Sequence, residues 1–434
     1  MLRFNENNET IRREEYRGIL VGLMLSEDIS DSMEELSGLA EAAGVEVLGE
    51  MIQRLERPNK ATFIGKGKVE ELQKMCEVME ADTVIFNDEL SGMQMRNLEE
   101  MLNVRVIDRT ILILDIFAGR AVSGEGKLQV ELAQLQYRLP RLTGFGKSLS
   151  RLGGGIGTRG PGEKKLETDR RHITRRMDDI KEEIQRIKGS RRIQRAKREK
   201  SEIPVVALVG YTNSGKSAIM NKLLEISDKE EKTVYEEDML FATLDTSQRS
   251  IRLSSNHEFI LIDTVGFVSK LPHALINAFK ATLEEVTEAD LLLHVVDVSY
   301  SAHDFQIKVT DRVLKEIGAG NKEKLTVFNK VDLLIEEGGN EASSFSIIGG
   351  APECIFISAK TGDNIDGLID KIKEKLFADR ETADLLIPYS RGDISSYLCE
   401  KAKVISMEHL ENGTLFSVEL SKADYSRLKK YEQI

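Results

Sequence analysis

Apolar and polar residues alternate in blocks along the first hundred residues, and this pattern predicts strands and helices in turn. Strands are predicted over 18–25, 45–54, 83–86 and 104–107, with helices over 32–43, 69–79 and 94–102. Such alternation is typical of a small parallel α/β unit, because parallel strands need helical crossovers. We therefore predict an N-terminal α/β domain over residues 1–110. Within it, Gly65-Lys66-Gly67-Lys68 favours a tight turn with solvated lysines over a phosphate site.

Two amphipathic stretches follow, and they predict a helical hairpin over residues 111–200. The first stripe consists of Leu128, Leu132, Leu135, Leu139 and Leu142. The second consists of Leu166, Ile173, Met177, Ile180, Ile184 and Ile187. Each stripe covers one helix face, so the two helices can pack against each other as an antiparallel pair. The second helix, over 163–200, would be about 55 Å long at ~1.5 Å per residue.

The connection between these helices, residues 143–162, contains eight glycines in twenty residues. Glycine at this density loses much chain entropy on ordering, so the segment is either a mobile linker or a place of close backbone approach to a partner. Three cations among the glycines favour the second interpretation. We predict that they contact RNA: Lys147, Arg151 and Arg159.

The charge distribution supports a nucleic-acid contact in the same region. The net charge is −12, yet residues 138–200 carry 20 Lys and Arg against 8 Asp and Glu, which leaves −24 on the rest. A basic block on an otherwise acidic protein indicates an RNA or DNA contact confined to one element. A long solvated helix rich in Lys and Arg is the alternative interpretation.

The spacing of the cysteines and the length of the apolar runs indicate the cellular compartment. Cys76, Cys354 and Cys399 have no paired spacing, so we expect buried thiols rather than disulfides or a zinc site. The apolar runs over 19–25 and 110–117 are far shorter than the ~20 residues that a spanning helix needs. The first run also lacks the features of a signal peptide. We expect a cytoplasmic, monomeric protein with no membrane span.

The first chemical motif follows the apolar run 205–209 and precedes a predicted helix. It fits the P-loop pattern G-x-x-x-x-G-K-[ST] in full, with Gly210, Tyr211, Thr212, Asn213, Ser214, Gly215, Lys216 and Ser217. Backbone N–H groups and the helix N-terminus in this motif face the phosphates of a nucleotide. Lys216 adds a cation at the β and γ oxygens, and the Ser217 hydroxyl is placed to bind Mg²⁺.

Four further motifs indicate which nucleotide binds. They comprise a switch segment (Phe241, Ala242, Thr243, Leu244, Asp245), a strand end (Asp263, Thr264, Val265, Gly266), a second strand end (Asn329, Lys330, Val331, Asp332) and a loop (Ser358, Ala359, Lys360). Asp332 can accept two N–H bonds from guanine, and a site built for such bonds rejects an analogue lacking them by ~10⁴ or more. The loop supplies backbone N–H groups for the base carbonyl. These motifs predict binding of GTP and GDP.

The same motifs assign roles at the phosphates. We predict that Mg²⁺ binds Ser217 and Thr243, and that the catalytic residues are Lys216, Thr243, Asp263 and Gly266. Asn213 lies where potassium-stimulated GTPases carry an asparagine, so K⁺ is a second candidate ion. Phe267 stands where Ras-like proteins place the glutamine that orients water. We therefore predict slow intrinsic turnover and a partner that completes the site, although Phe267 could simply pack under the switch segment.

The predicted fold is a multidomain α/β protein. A parallel-sheet N-terminal domain (1–110) and a long helical hairpin (111–200) precede a P-loop GTPase domain (201–377) and a small α/β C-terminal domain (378–434). In the last domain we predict a connector over 378–386, helices over 390–400 and 421–431, and strands over 403–406 and 415–420. Its sequence indicates no function.

The chain resembles the HflX family of ribosome-associated GTPases over about residues 17–375, and more loosely beyond them. The resemblance is carried by Arg109–Phe117, Glu125–Leu135, Leu139–Leu142, Gly153–Glu163, Leu166–Arg171 and Phe241–Asp245. It implies a GTPase that binds the large ribosomal subunit and places the hairpin loop against ribosomal RNA near the peptidyl-transferase region. It further implies that this GTPase helps to split stalled or stressed ribosomes. Lys164 departs from the family pattern, in which many members have threonine.

Three hypotheses about function remain open at this point. The leading one is an enzyme whose GTP hydrolysis switches its affinity for the ribosome. The alternative is a nucleotide-gated factor that acts sterically, for example in resistance to antibiotics at the large subunit. In the third, the GTPase acts on tRNA or in septation.

Overall fold

The computed structural model describes residues 16–26, 28–142, 161–199, 203–227, 247–253, 257–270, 285–336, 354–378 and 380–433. The chain divides into two compact units. The first comprises Met1–Arg192, Asp238–Asp245 and Val268–Ala281, and the second comprises Ile193–Glu237, Thr246–Phe267 and Thr282–Ile434.

A four-stranded parallel sheet lies at the centre of the first unit. Its strands are β1 (Tyr16–Met24), β2 (Val45–Arg54), β3 (Thr83–Phe86) and β4 (Arg105–Asp108), in the order β2-β1-β3-β4. Four helices alternate with or follow these strands: α1 (Ser30–Ala42), α2 (Lys66–Met79), α3 (Gly92–Leu102) and α4 (Arg109–Arg120). Helix α2 begins at Lys66 with Gly65 as its N-cap, so the predicted lysine turn is the first turn of a helix. The predicted parallel α/β architecture is confirmed.

Two long helices follow, α5 (Gly124–Leu142) and α6 (Pro161–Glu199). They pack through the two predicted apolar stripes, with Leu132, Met177, Ile180 and Ile184 buried and Leu128, Leu135, Leu139 and Ile173 partly buried. Arg176 Nε and Nη2 each donate to a Glu131 carboxylate oxygen at 2.8 Å. Residues 143–160 join the two helices and lie outside the described part of the chain, as do the side chains of Leu142 and Leu166.

A six-stranded sheet forms the main core of the second unit. Its strands are β5 (Val205–Gly210), β6 (Ser247–Arg252), β7 (Glu258–Asp263), β8 (Leu291–Asp297), β9 (Lys324–Asn329) and β10 (Cys354–Phe356). The order is β10-β9-β8-β5-β7-β6, and only β6 runs antiparallel. The helices are α7 (Lys216–Ile226), α8 (His303–Glu316), α9 (Val331–Glu336) and α10 (Ile365–Phe377). Because the carboxyl ends of β5, β7 and β9 share one edge, three of the predicted motifs meet there.

A three-stranded antiparallel sheet ends the chain. It consists of β11 (Arg380–Ile387), β12 (Lys403–Leu410) and β13 (Gly413–Ser421), in the order β11-β13-β12, with helices α11 (Gly392–Lys401) and α12 (Lys422–Leu428). The predicted connector over 378–386 is wrong, because β11 occupies it. Ala383, Leu385 and Ile387 alternate into the core, which is the period-two pattern of a half-buried strand.

Two smaller predictions have different outcomes. None of the helices in the described ranges has the length and apolarity that a membrane span requires. Cys76 and Cys354 are buried free thiols, as expected, whereas Cys399 is exposed. The expectation for Cys399 is wrong because the cysteine lies on the solvent face of α11.

Candidate nucleotide site

The phosphate loop spans the turn from the end of β5 to the start of α7. Gly215 caps α7 with a φ of 92°, and a Cβ at this position would lie 2.1 Å from the Asn329 amide nitrogen. Only glycine fits both the left-handed backbone and this close approach. Two buried hydroxyl oxygens of the loop, Thr212 Oγ1 and Ser214 Oγ, have no hydrogen-bond partner among the described residues. This is the state expected of a loop whose natural partner is a bound anion.

Lys216 carries the cation of the loop and is only 6% exposed. Its Nζ donates to the carbonyl oxygen of Tyr211 at 2.7 Å and to that of Gly210 at 3.4 Å. Burial lowers the pKa of Lys216 to about 8, and the Asp263 carboxylate opposes this shift. Phosphate oxygens in place of the two carbonyls would favour the charged form more strongly.

Ser217 and Asp263 bring two oxygen ligands together. Ser217 Oγ donates to Asp263 Oδ2 at 2.7 Å, and the Asp263 side chain is fully buried. A hydroxyl and a carboxylate are the hard ligands that Mg²⁺ prefers, so this pair fits the predicted ion. The Thr264 hydroxyl donates to the Leu208 carbonyl at 2.6 Å and fixes this segment to β5. The other predicted metal ligand, Thr243, lies outside the described residues with its neighbours Phe241, Ala242, Leu244 and Asp245.

The predicted guanine motif is joined to the phosphate loop by one side chain. Asn329 Nδ2 donates to the Ser214 carbonyl, and Asn329 Oδ1 accepts from the Ala359 N–H, both at 2.9 Å. Asp332 Oδ1 accepts from the buried Ser358 hydroxyl at 2.7 Å, which orients the carboxylate that we assign to the base. The structure therefore brings the three motifs at 210–217, 329–332 and 358–360 together.

Lys330 in this motif has a partner that the sequence analysis missed. Its Nζ lies 2.8 Å from Asp297 Oδ2, and its backbone adopts a φ of 68°. Asp297 is the last residue of β8, and a carboxylate that ends an apolar strand at this edge of the sheet is the signal that could have revealed it. The pair places Lys330 beside the predicted base-binding residues.

Phe267 is held against the phosphate loop by its backbone. Its N–H donates to the Gly210 carbonyl at 3.1 Å, and its carbonyl accepts from the Thr212 N–H at 2.8 Å. The side chain is 2% exposed, and a Cβ on the preceding Gly266 would lie 2.6 Å from Thr212 Cα. The side chain at this position therefore contributes packing and no hydrogen-bonding group to the candidate site. The predicted RNA contacts Lys147, Arg151 and Arg159 lie outside the described residues.

Three protein-family models match successive parts of this chain. They are described as GTP-binding GTPase N-terminal, over residues 30–118, as GTP-binding GTPase Middle Region, over 120–198, and as 50S ribosome-binding GTPase, over 205–330. Among solved structures, a GTP-binding protein from the archaeon Sulfolobus solfataricus in complex with GDP is 26% identical, with a TM-score of 0.43. The match covers 82% of this chain and 98% of that one.

Full-length relatives are more similar in sequence. GTPase HflX of Caldanaerobacter subterraneus subsp. tengcongensis is 48% identical over 98% of this chain and 95% of its own length. GTPase HflX of Escherichia coli K12 is 38% identical over 96% of both chains. With the phosphate loop, the Ser217–Asp263 pair and the guanine motif gathered at one sheet edge, these matches show that the chain belongs to the HflX family of ribosome-binding GTPases and hydrolyses GTP.

Proposed function

We propose that this GTPase binds the large ribosomal subunit in its GTP-bound state and splits or rescues stalled or stressed ribosomes. The observation that carries the proposal is the packed pair α5 and α6, whose connection lies within the glycine-rich segment 143–162. The Glu131–Arg176 ion pair is about equally far along each helix from that connection, so the two helices run antiparallel, and we call the connection the tip of the hairpin. Small residues permit close approach to RNA, and arginine can bind phosphate or stack on bases.

The positive charge is concentrated at the two ends of the basic block 138–200 rather than along its middle. Residues 138–165 and 188–200 each carry seven Lys and Arg against one acidic residue, whereas residues 166–187 carry six of each sign. A uniformly solvated basic helix would not show this division. The cluster in 138–165 surrounds the tip, which supports an RNA contact at Lys147, Arg151 and Arg159.

The nucleotide site supplies the switch for this binding. Ser217 and Thr243 would hold Mg²⁺, which neutralises charge on the β and γ oxygens when it is bound. Lys216 would contact the same oxygens, while Asp263 would hold the ion through its ligand shell and the Gly266 N–H would bind the γ-phosphate. Asp332, with the backbone of 358–360, would select guanine. K⁺ beside Asn213 is a further ion that this site could accept.

Steric action is the second candidate function, because Phe267 offers no water-positioning group. In that case hydrolysis would be incidental and occupancy of the large subunit would produce the effect. An Asp263→Asn variant separates the two functions. If hydrolysis drives the cycle, the variant binds ribosomes but does not rescue them, whereas a steric factor would still rescue them.

Sedimentation with purified ribosomal subunits tests the main proposal. We expect the protein to pellet with large subunits in the presence of a non-hydrolysable GTP analogue, and far less with GDP. Small subunits serve as the control for non-specific binding to RNA. If binding to large subunits does not depend on the nucleotide, the proposal is wrong.

Replacing Arg151 and Arg159 together by alanine should weaken binding to the large subunit and flatten its dependence on salt. Each lost phosphate contact removes about 0.7–0.9 from the slope of log K against log [salt], so the slope should fall by roughly 1.5. The matched control replaces Arg171 and Arg186, two exposed arginines in the balanced part of α6. Intrinsic GTP hydrolysis should be unchanged in both variants. An equal loss of binding and hydrolysis would instead indicate that the tip contacts the nucleotide.

A further inference from the structure

The end of α5 that leads into the hairpin tip is fixed to the carboxyl end of β4. The Tyr137 hydroxyl donates a short hydrogen bond to Asp108 Oδ2, and Arg141 Nη2 lies 3.8 Å from the same oxygen. The Arg141 guanidinium also stacks on the Tyr137 ring, at 3.3 Å from its centroid. Tyr137 and Arg141 are therefore held as one group against Asp108, just before the glycine-rich segment begins.

Asp108 is fully buried and uses both carboxylate oxygens. Besides the contacts with α5, Oδ2 accepts from the Leu90 N–H and Oδ1 accepts from the Ile111 N–H, each at 3.0 Å. Burial raises the pKa of this carboxyl, and the donors around it oppose the shift. A buried carboxylate with this many donors moves only together with them, because moving it alone would leave several polar groups unpaired.

The next residue, Arg109, contacts Glu35, Asn87 and Ser269 instead of α5. Its Nη2 donates to Ser269 Oγ at 3.0 Å and forms a short ion pair with Glu35 Oε2. The Ser269 N–H in turn donates to Glu35 Oε1 at 3.1 Å. Arg109 Nη1 donates to Asn87 Oδ1 at 2.9 Å, so the guanidinium is anchored on both sides. Ser269 lies three residues after Gly266, in the segment that leaves the nucleotide site.

The loop after β3 also contacts both the segment 269–270 and the end of α5. Asp88 Oδ1 accepts from Lys270 Nζ at 2.5 Å, next to Ser269. Glu89 Oε1 and the Leu90 carbonyl accept from Arg141 Nη2 at 3.0 and 2.8 Å, next to the hairpin tip. The segments 87–90 and 108–109 thus each contact both the end of α5 and the segment 269–270.

We propose that Asp108 and Arg109 are positioning residues that couple the hairpin tip to the nucleotide site. When RNA displaces the end of α5, Tyr137 and Arg141 shift Asp108, and the adjoining Arg109 shifts Ser269. The backbone from Ser269 back to Gly266 is only three residues long, and Phe267 is hydrogen-bonded to the phosphate loop. Displacement at Ser269 would therefore reach Gly266, whose N–H we assign to the γ-phosphate. This coupling rests on the proposed binding of the tip to the large subunit.

Buried ion pairs suit such a role better than apolar contacts do. Separating Glu35 from Arg109 would leave a buried charge without its partner, which is strongly unfavourable. The network consequently moves as one body or exchanges between discrete arrangements, instead of deforming gradually. Lys270, with a φ of 52°, marks a constrained backbone turn at the far end of this connection.

A double-mutant cycle on stimulation by large subunits tests the coupling. Tyr137→Phe removes the hydroxyl at Asp108, and Ser269→Ala removes the hydroxyl at Arg109 and Glu35. The measured quantity is GTP turnover with saturating large subunits divided by turnover without them. We expect each single variant to lower this ratio about tenfold and the double variant to lower it no further, because both break one path. Sedimentation with the non-hydrolysable analogue should stay unchanged.

Tyr397→Phe is the matched control, since it removes a phenol hydroxyl that donates to Asp424 at 2.8 Å in the C-terminal sheet. It should leave the ratio unchanged and should combine additively with Ser269→Ala. If Tyr137→Phe does not fold, Glu89→Gln and Lys270→Gln repeat the cycle at exposed positions of the same network.

The outcomes separate this inference from the function on which it rests. If the unmodified protein does not bind large subunits, the proposed function is wrong and the coupling falls with it. Normal binding with an unchanged ratio in both single variants would overturn the coupling alone. The coupling would also be overturned if the losses of the ratio in the two single variants multiplied in the double variant, because independent losses indicate two unconnected sites.

Discussion

The Asp332→Asn variant is expected to lose most of its affinity for GTP and to prefer a xanthine nucleotide. Guanine presents two N–H donors to a carboxylate, and xanthine carries an oxygen where guanine has its amino group. The Ser358 hydroxyl orients the Asp332 carboxylate through a 2.7 Å hydrogen bond, so an amide at this position can keep the same orientation. A site that loses such a matched pair of bonds discriminates by ~10⁴ or more, which sets the expected loss for GTP.

Competition binding with GTP, ATP and xanthosine triphosphate measures this change in specificity. Asp370→Asn is the control, because it makes the same chemical change at an exposed position on α10, beside Lys373. Its nucleotide affinities should equal those of the unmodified protein. Unchanged GTP affinity in Asp332→Asn would show that the base binds elsewhere.

GTP turnover should be slow for the isolated protein and should rise by ~10³ or more with large ribosomal subunits, as for GTPases completed by a partner. The reason is the side chain of Phe267, which is buried and cannot orient water. Its backbone is paired with Gly210 and Thr212, so a partner must act by ordering other groups, and we expect these to lie in the predicted switch segment around Thr243.

Turnover should be measured in NaCl and in KCl, alone and with large or small subunits. Faster hydrolysis in KCl would support a K⁺ ion beside Asn213, whereas equal rates would remove that ion and leave the rest of the prediction intact. Fast hydrolysis by the isolated protein would contradict the argument from Phe267. Stimulation by small subunits to the same extent would contradict the choice of partner.

Local patterns in the sequence were sufficient for most elements of the fold. The predicted bounds of β2 and β3 agree with the structure, since turn residues and apolar periodicity define them within a few positions. β6 was missed because it is an edge strand with a single buried apolar residue, Ile251. β11 was missed because its alternating pattern directly follows α10 and has no turn signal before it.

The candidate site and its surroundings were likewise predictable from the sequence only in part. The phosphate loop and the guanine motif have fixed spacings, and they could be located without any knowledge of the fold. The partners of Arg109 could not, because Glu35 and Ser269 lie 74 and 160 positions away along the chain. Arginine is also usually exposed in proteins, whereas the structure buries Arg109 at 2% exposure. Only tertiary packing reveals that Arg109 forms an internal ion pair with Glu35.

The single carboxamide of Asn329 has a consequence for nucleotide release. Its amide nitrogen holds the Ser214 carbonyl in the phosphate loop, and its oxygen holds the Ala359 N–H next to the base. The predicted phosphate and base ends of the site are thus linked by one side chain. A factor that pulled residues 358–360 outward would therefore also disturb the phosphate loop, and we expect a stimulus applied at the predicted base end to weaken binding at the phosphate end as well.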